Sequence, residues 1–198
     1  MPALLELHPP QLPPGARRKL TRADCLALEG AGLLERERFE LIDGELIRRM
    51  GKSRSHTIAL LRVMACLRLV FGTGHVEQEA PIDLTAHLDA TNEPEPDAVV
   101  LRRPSVEFRT ENPGPEDILL AVEVSATTQD YDLGAKAALY ASAGIAEYWV
   151  LDVKSRCLVV HQGPTGDHYS SIISYAAHEP VSPQAAPMAT IRARDLLS

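Results

Sequence analysis

Apolar and polar positions alternate along the chain in blocks, and the blocks of its first half predict two helices and a hairpin. Thr21 is a candidate N-cap for a short helix through RADCLALEGAG, which ends at one of its glycines. Apolar runs on both sides of Asp43-Gly44 predict a two-stranded ribbon, because this dipeptide favours a tight hairpin turn. Residues 55–71 are apolar nearly all round, so they predict a largely buried helix with Ser55 as its cap.

The second half of the chain is dominated by apolar runs typical of strands. These runs are HVEQEAPIDL, DAVVLRR, DILLAVEVS, EYWVLDV and CLVVHQ, and an alanine-rich helix over 131–143 separates the last two from the others. This order predicts a mixed sheet flanked by helices, within the α/β class. Proline-rich ends delimit an arm over residues 1–20 and a tail over 181–198, which leaves one domain over 21–180.

Composition narrows the class of protein. Hydrophobic residues make up 45% of the 198 positions and charged residues 24%, as in a globular chain. The net charge of −7 argues against polyanion binding driven by overall charge, although a local basic patch remains compatible with it. Three widely spaced cysteines, no signal-peptide pattern and no long apolar segment favour a cytoplasmic protein without membrane association.

Glu123 interrupts the apolar run ILLAVEVS. Side chains alternate between the two faces of a strand, so Glu123 shares one face with Leu119, Ala121 and Ser125. Burying an unpaired carboxylate costs several kcal/mol, and Glu123 therefore needs a cation, a hydrogen-bond network or a metal. A paired core glutamate, or an edge strand that turns Glu123 to water, explains the same pattern.

Three further residues are candidates to join Glu123. Asp97 enters another predicted strand, and if the two strands are neighbours both carboxylates can meet one Mg²⁺. Glu40 could complete the cluster or be a solvated hairpin residue. Lys136 lies about 7.5 Å along a helix that returns over the sheet, within reach of Glu123. An ordinary surface pair with Asp132 is its alternative.

Several stretches of the sequence together resemble one known family. FELIDGEL, SH at a helix start, PEPDAVVL and AVEVSATTQDYDLGAKAALYASAGIAEYWVLD resemble the Uma2 family (DUF820) of the PD-(D/E)XK nuclease-like superfamily, over about residues 21–161. The resemblance implies a restriction endonuclease-like αβββαβ core with an added N-terminal helix and β-hairpin. It also implies an endonuclease that uses Mg²⁺ or Mn²⁺ to hydrolyse phosphodiester bonds, with DNA as the expected substrate and a homodimer as the expected assembly.

The resemblance also assigns roles to particular residues. It makes Asp97, Glu123 and Lys136 catalytic, and Asp97, Glu123 and Glu40 metal ligands, with Lys136 moved from the strand onto the helix. Two departures stand out: Ser125 occupies the position of the superfamily's ordinary lysine, and Ala126 replaces a proline usual in this family. Activity therefore depends on Lys136. A second match, Asp152-Val153-Lys154, lacks a preceding acid at the right spacing.

A basic segment offers a place for nucleic acid. Between Arg48 and Val76 there are six cations and no acid, and the candidates for phosphate contact are Lys52, Arg54, His56 and Arg62. A solvated helix flank explains this segment equally well. The alternative function is a catalytically inactive interaction protein, or a nucleic-acid-binding protein, that retains the nuclease fold.

Overall fold

The computed structural model describes residues 18–35, 39–49 and 51–197. Nearly all of the predicted N-terminal arm lies outside them. Helix α1 spans Arg22–Gly30, and the Thr21 hydroxyl accepts a hydrogen bond from the amide of Asp24, which confirms the predicted cap. Strands β1 (Phe39–Ile42) and β2 (Glu45–Arg48) pair antiparallel around Asp43-Gly44. Both turn residues have positive φ, at 49° and 77°, as the predicted tight turn requires.

Helix α2 spans Arg54–Phe71, and two details of its prediction were wrong. Its cap is Ser53 instead of Ser55, because the Ser53 hydroxyl accepts the amide of His56 at 3.2 Å. The helix is also buried on one face only, and not nearly all round, since Leu69 on its other side is 87% exposed. The buried face consists of Ala59, Leu60, Val63, Met64 and Leu67. No helix among the described residues is both long and apolar enough to cross a membrane.

The main sheet has six strands in the order β3-β4-β5-β6-β7-β8. Strands β5 and β6 are parallel and the other neighbours are antiparallel, so the mixed sheet is confirmed. The bounds are β3 Val76–Gln78, β4 Ala98–Leu101, β5 Ile118–Ser125, β6 Glu147–Asp152, β7 Cys157–Thr165 and β8 His168–Ala176. Strand β3 is shorter than predicted because Glu79, with φ of 53°, breaks it. Strand β8 was not predicted.

The helix between β5 and β6 is interrupted near its start. It consists of α3 (Gln129–Tyr131), a π-turn over Asp132–Lys136 and α4 (Ala137–Ser142), followed by Gly144 at φ of 80°. The sequence predicted a regular helix here. A π-turn adds one residue to the helical repeat, and such turns are frequent at functional sites.

Two apolar cores lie on opposite faces of the sheet. One contains Leu120, Val122 and Val124 and is covered by α2, and the other contains Ala121 and is covered by α4. Leu119 packs against the first core, contrary to the alternation predicted for β5, because a register shift opposite Val100 and Leu101 of β4 breaks the alternation there.

The segment after residue 179 contributes to the first core. It forms β9 (Pro180–Val181), β10 (Ile191–Arg192) and α5 (Ala193–Leu196). Val181 and Leu196 are buried in the cluster that contains the inner face of α2. Burial of each such side chain stabilises the fold by about 1.5–3 kcal/mol.

Candidate active site in a cleft beside the central sheet

The strand register brings Asp97 and Glu123 together. Strands β4 and β5 are antiparallel neighbours with Ala98 opposite Val122, so the residue before Ala98 lies beside Glu123. The amide of Val124 donates a hydrogen bond to Asp97 Oδ2 at 2.8 Å. Both carboxylates are buried, at 8% and 5% exposure, and both line one cleft of about 260 Å³.

Lys136 joins two carboxylates inside this cleft. Its Nζ lies 2.8 Å from Glu123 Oε1 and 3.0 Å from Glu40 Oε2, with all three side chains no more than 7% exposed. The hydroxyl of Tyr140 donates a further bond to Glu123 Oε1 at 3.2 Å. The lysine therefore points into the protein, and the surface pair with Asp132 considered from the sequence is not its main contact.

Glu123 and Lys136 each shift the pKa of the other. Burial raises the pKa of Glu123 well above its ordinary value, and the nearby carboxylates of Asp97, Asp132 and Glu40 raise it further. Burial disfavours the ammonium form of Lys136, but Glu123 and Glu40 outweigh burial and raise the pKa of Lys136. Lys136 is thus firmly protonated, and within the buried cluster around Glu123 its one ammonium faces the acids Glu40, Asp97, Glu123 and Asp132. Such a site is electrostatically suited to a further cation.

His56 supports Asp97 from the first turn of α2. Its Nδ1 lies 2.8 Å from the carbonyl oxygen of Val124, which can only accept, so Nδ1 carries a proton. Its Nε2 is 3.4 Å from Asp97 Oδ1. Burial alone would lower the pKa of His56, but Asp97 raises it above the ordinary value of 6.5. An imidazolium beside the carboxylate is the state that this geometry favours.

The His56–Asp97 contact predicts a pH-dependent stability. A histidine with a raised pKa in the folded state stabilises the fold below pH 6.5, and this contribution is lost as the pH rises through the folded pKa. The difference in unfolding free energy between the protein and His56→Gln should therefore be largest below pH 6.5 and decrease above it. Chemical unfolding at a series of pH values measures this difference.

His161 is the matched control for this experiment. It is 1% exposed, and burial lowers its pKa below 6.5, so the same substitution there should give the opposite trend. The difference between the protein and His161→Gln should grow as the pH rises. Equal trends for the two variants would contradict the charge state assigned to His56.

Tyr131 and Asp132 also line the cleft, although no sequence pattern indicated a role for them there. The Tyr131 hydroxyl is buried without a hydrogen-bond partner among the described residues. Burial, with the charge of Glu40 next in importance, raises the pKa of Tyr131 to about 12. Asp132 accepts the Thr128 hydroxyl at 2.5 Å, and burial raises its pKa. The only sequence pattern that linked Asp132 to the site was its i,i+4 spacing from Lys136, which in a helix places both residues on the same face.

The residues predicted to contact nucleic acid separate into two groups. Lys52 and His56 line the cleft, whereas Arg54 and Arg62 are not among its lining residues. Arg54 is exposed at the start of α2. Arg62 donates a 2.6 Å hydrogen bond to the carbonyl of Leu197 and so holds the C-terminal segment against α2. A nucleic-acid role for Arg54 and Arg62 stays a prediction.

The second sequence match, Asp152-Val153-Lys154, lies outside the cleft. Asp152 and Lys154 line a neighbouring cavity of about 440 Å³, which shares the wall formed by residues 126–128. Asp152 accepts hydrogen bonds from Gln129 and from the amide of Ser155. It thereby fixes the turn after β6.

The side chains of the cleft that could act as ligands indicate which metal ion it could hold. Among the described residues, no group of three or more His, Cys, Asp or Glu side chains is placed to bind a metal ion. The cleft instead offers the carboxylates of Asp97 and Glu123, which the register of β4 and β5 places side by side, while Lys136 contacts both Glu123 and Glu40. Mg²⁺ commonly binds through one or two carboxylates and retains several waters. The two-carboxylate set therefore fits a hydrated Mg²⁺ ion.

The chain resembles known proteins in sequence and in fold. A family model described as "Uma2: Putative restriction endonuclease" matches residues 23–193. No curated protein shows significant similarity to the chain. A crystal structure from Anabaena variabilis ATCC 29413, described as "a putative nuclease belonging to DUF820", is 15% identical in sequence. It aligns with a TM-score of 0.65 over 85% of this chain and 94% of the other, which establishes a shared fold.

Proposed function

Because the chain belongs to the Uma2 family, we propose that it is a metal-dependent endonuclease that hydrolyses phosphodiester bonds in DNA. The observation that carries this proposal is the convergence of Asp97, Glu123 and Lys136 in one cleft. Asp97 directly precedes β4, Glu123 lies in β5 and Lys136 ends the π-turn, and all three side chains are buried, which is costly for charged groups without a compensating role. An inactive protein of the same fold has no catalytic need for them.

The residues divide the chemistry between them. Asp97 and Glu123 would hold the divalent ion, which when bound acidifies a water and neutralises charge on phosphoryl oxygens. Lys136, with its raised pKa, is unsuited to accept a proton. It serves as a hydrogen-bond donor that orients the water or stabilises negative charge on the phosphoryl group. Glu40 holds Lys136 in position, and His56 does the same for Asp97.

Cleavage of supercoiled plasmid provides the direct test. We expect nicking and linearisation with Mg²⁺ or Mn²⁺ and none with a chelator, with single-stranded RNA as a parallel substrate. Calorimetric titration with Mn²⁺ should show binding in the absence of nucleic acid. Failure to bind Mn²⁺, together with failure to cleave either substrate, would favour the interaction-protein alternative.

The cations nearest the cleft pair with acidic residues. Arg49 donates to Glu95 Oε2 at 2.5 Å and to Glu79 Oε1 at 2.7 Å, and Lys52 also pairs with Glu79 Oε1. Arg49 and Lys52 both line the cleft. Glu79 thus pairs with the two cations that a backbone phosphate of DNA would contact.

Neutralising Glu79 is therefore expected to strengthen DNA binding. Glu79→Gln should raise the affinity for duplex DNA at low salt and steepen the slope of log affinity against log salt by about 1, as one more phosphate is engaged. Fluorescence anisotropy with a chelator present measures both. Glu77→Gln is the control, because it removes the same charge two residues earlier, from a side chain that accepts a hydrogen bond from Ser105, whereas Glu79 pairs with Arg49 and Lys52. Equal effects of both variants would contradict the role of Glu79.

A further inference from the structure

The six-stranded sheet ends in two very different edges. Strand β3 forms one edge, and it has three residues and includes Glu77. Strand β8 forms the other edge, and it has nine residues without proline or any Asp, Glu, Lys or Arg. Short strands and charged side chains are the usual devices that prevent a sheet from pairing at its edge. The β8 edge has neither.

The backbone groups that β8 directs outward can be identified. The amide of Ala176 donates to its own chain's Glu179 Oε2 at 2.6 Å, so it points away from β7. In an antiparallel ladder such groups alternate, and the even-numbered residues Ser170, Ile172 and Ser174 therefore also direct their N–H and C=O groups outward. Among the described residues, no strand pairs with this edge.

The side chains along this edge are uncharged and accessible. The even-numbered positions of β8 are all exposed, with Ile172 at 59%, and Ile173 on the opposite face is 47% exposed. The nearest acids, Asp167 and Glu179, lie beyond the two ends of the strand. Two copies that each carry a net charge of −7 repel one another, and an uncharged edge is where they can approach at the lowest electrostatic cost.

We propose that β8 pairs antiparallel with the β8 strand of a second copy, on a twofold axis at Ile172, which joins the two sheets into one. The sequence YSSIISY is nearly symmetric about this position. The axis places Ile172 opposite the same residue of the second copy and Ser170 opposite Ser174, and both pairs have outward N–H and C=O groups. A twofold contact uses the same surface on both copies, as this edge allows. The assembly does not depend on the proposed cleavage activity.

Light scattering coupled to size-exclusion chromatography tests the assembly. The protein should elute at twice the mass of one chain, and Ile172→Lys, which sets two ammonium groups against each other at the axis, should elute as a monomer. Leu69→Lys is the control, since Leu69 is 87% exposed on α2, and it should remain dimeric. A monomeric wild-type protein, with the edge solvated or covered by another segment, would overturn the proposal, as would a dimeric Ile172→Lys variant.

Disulfide cross-linking tests the register. Residues paired across the axis have Cα atoms about 5.5 Å apart, within the range that a disulfide spans. Oxidised Ile172→Cys should form a covalent dimer, whereas Ser170→Cys should form one only when mixed with Ser174→Cys. Circular dichroism shows that each variant is folded. A covalent dimer from Ser170→Cys alone, or none from Ile172→Cys, would exclude an axis at Ile172.

Discussion

Replacing Lys136 by methionine is expected to destabilise the fold by about 3–5 kcal/mol at neutral pH, because it leaves buried carboxylates without their cation. Lys136 Nζ contacts Glu123 and Glu40, and none of the three side chains is more than 7% exposed. Methionine retains the length and apolar stem of lysine, so the loss of stability arises from the missing charge more than from altered packing. Urea unfolding followed by circular dichroism measures the difference.

The loss of stability in Lys136→Met should depend on pH in a defined direction. Lys136 lowers the pKa of Glu123 against the effect of burial, so its removal raises that pKa further and adds a penalty on folding at high pH, which disappears as the pH falls to the unfolded value of 4.5. The destabilisation should therefore be largest near neutrality and shrink toward pH 4.5. Lys52→Met is the control, because its pair with Glu79 is partly exposed and should contribute only about 0–1 kcal/mol. A similar small effect in both variants would contradict the buried cluster.

Replacing Glu123 by glutamine is expected to reduce metal-dependent cleavage by roughly 10²–10³-fold or more, because it removes one of two carboxylates available to the ion. The same variant should bind Mn²⁺ more weakly in calorimetry. Lys136 retains Glu40 as a partner, so the fold should persist. Initial rates of plasmid nicking at saturating metal separate loss of chemistry from loss of binding.

Glu147 supplies a matched control for this substitution. It is a glutamate of 0% exposure in the same sheet, and it accepts hydrogen bonds from Trp149, Gln162 and the amide of Gln184. It does not line the cleft. Glu147→Gln should lower stability and leave the cleavage rate unchanged. Full activity in Glu123→Gln would remove Glu123 from the mechanism.

Local chemistry made several elements predictable. The Asp43-Gly44 turn, the Thr21 cap and the apolar strand around Glu123 each depend on residues close together in sequence. The buried carboxylate of Glu123 was also recognisable as a residue in need of a partner. The helix cap at Ser53 was misassigned because two serines two positions apart satisfy the same local preference.

Other features had no local signal. Strand β8 consists mainly of serine, isoleucine and tyrosine and lies at an edge, where exposure of alternate residues removes the apolar run that marks a buried strand. The π-turn over Asp132–Lys136 inserts one extra residue into the helix, and tertiary contacts of its side chains stabilise it. The burial of the Tyr131 hydroxyl depends on a cleft formed by segments far apart in the sequence.

The sequence by itself determined the order of helices and strands up to β7, the family resemblance and the choice of Asp97, Glu123 and Lys136 as candidate site residues, because these follow from local pattern and spacing. Only the tertiary structure decided that Lys136 bonds to both Glu123 and Glu40 and that His56 faces Asp97. Burial sets the energy of these contacts, and burial depends on strand pairing and helix packing between segments far apart in the chain.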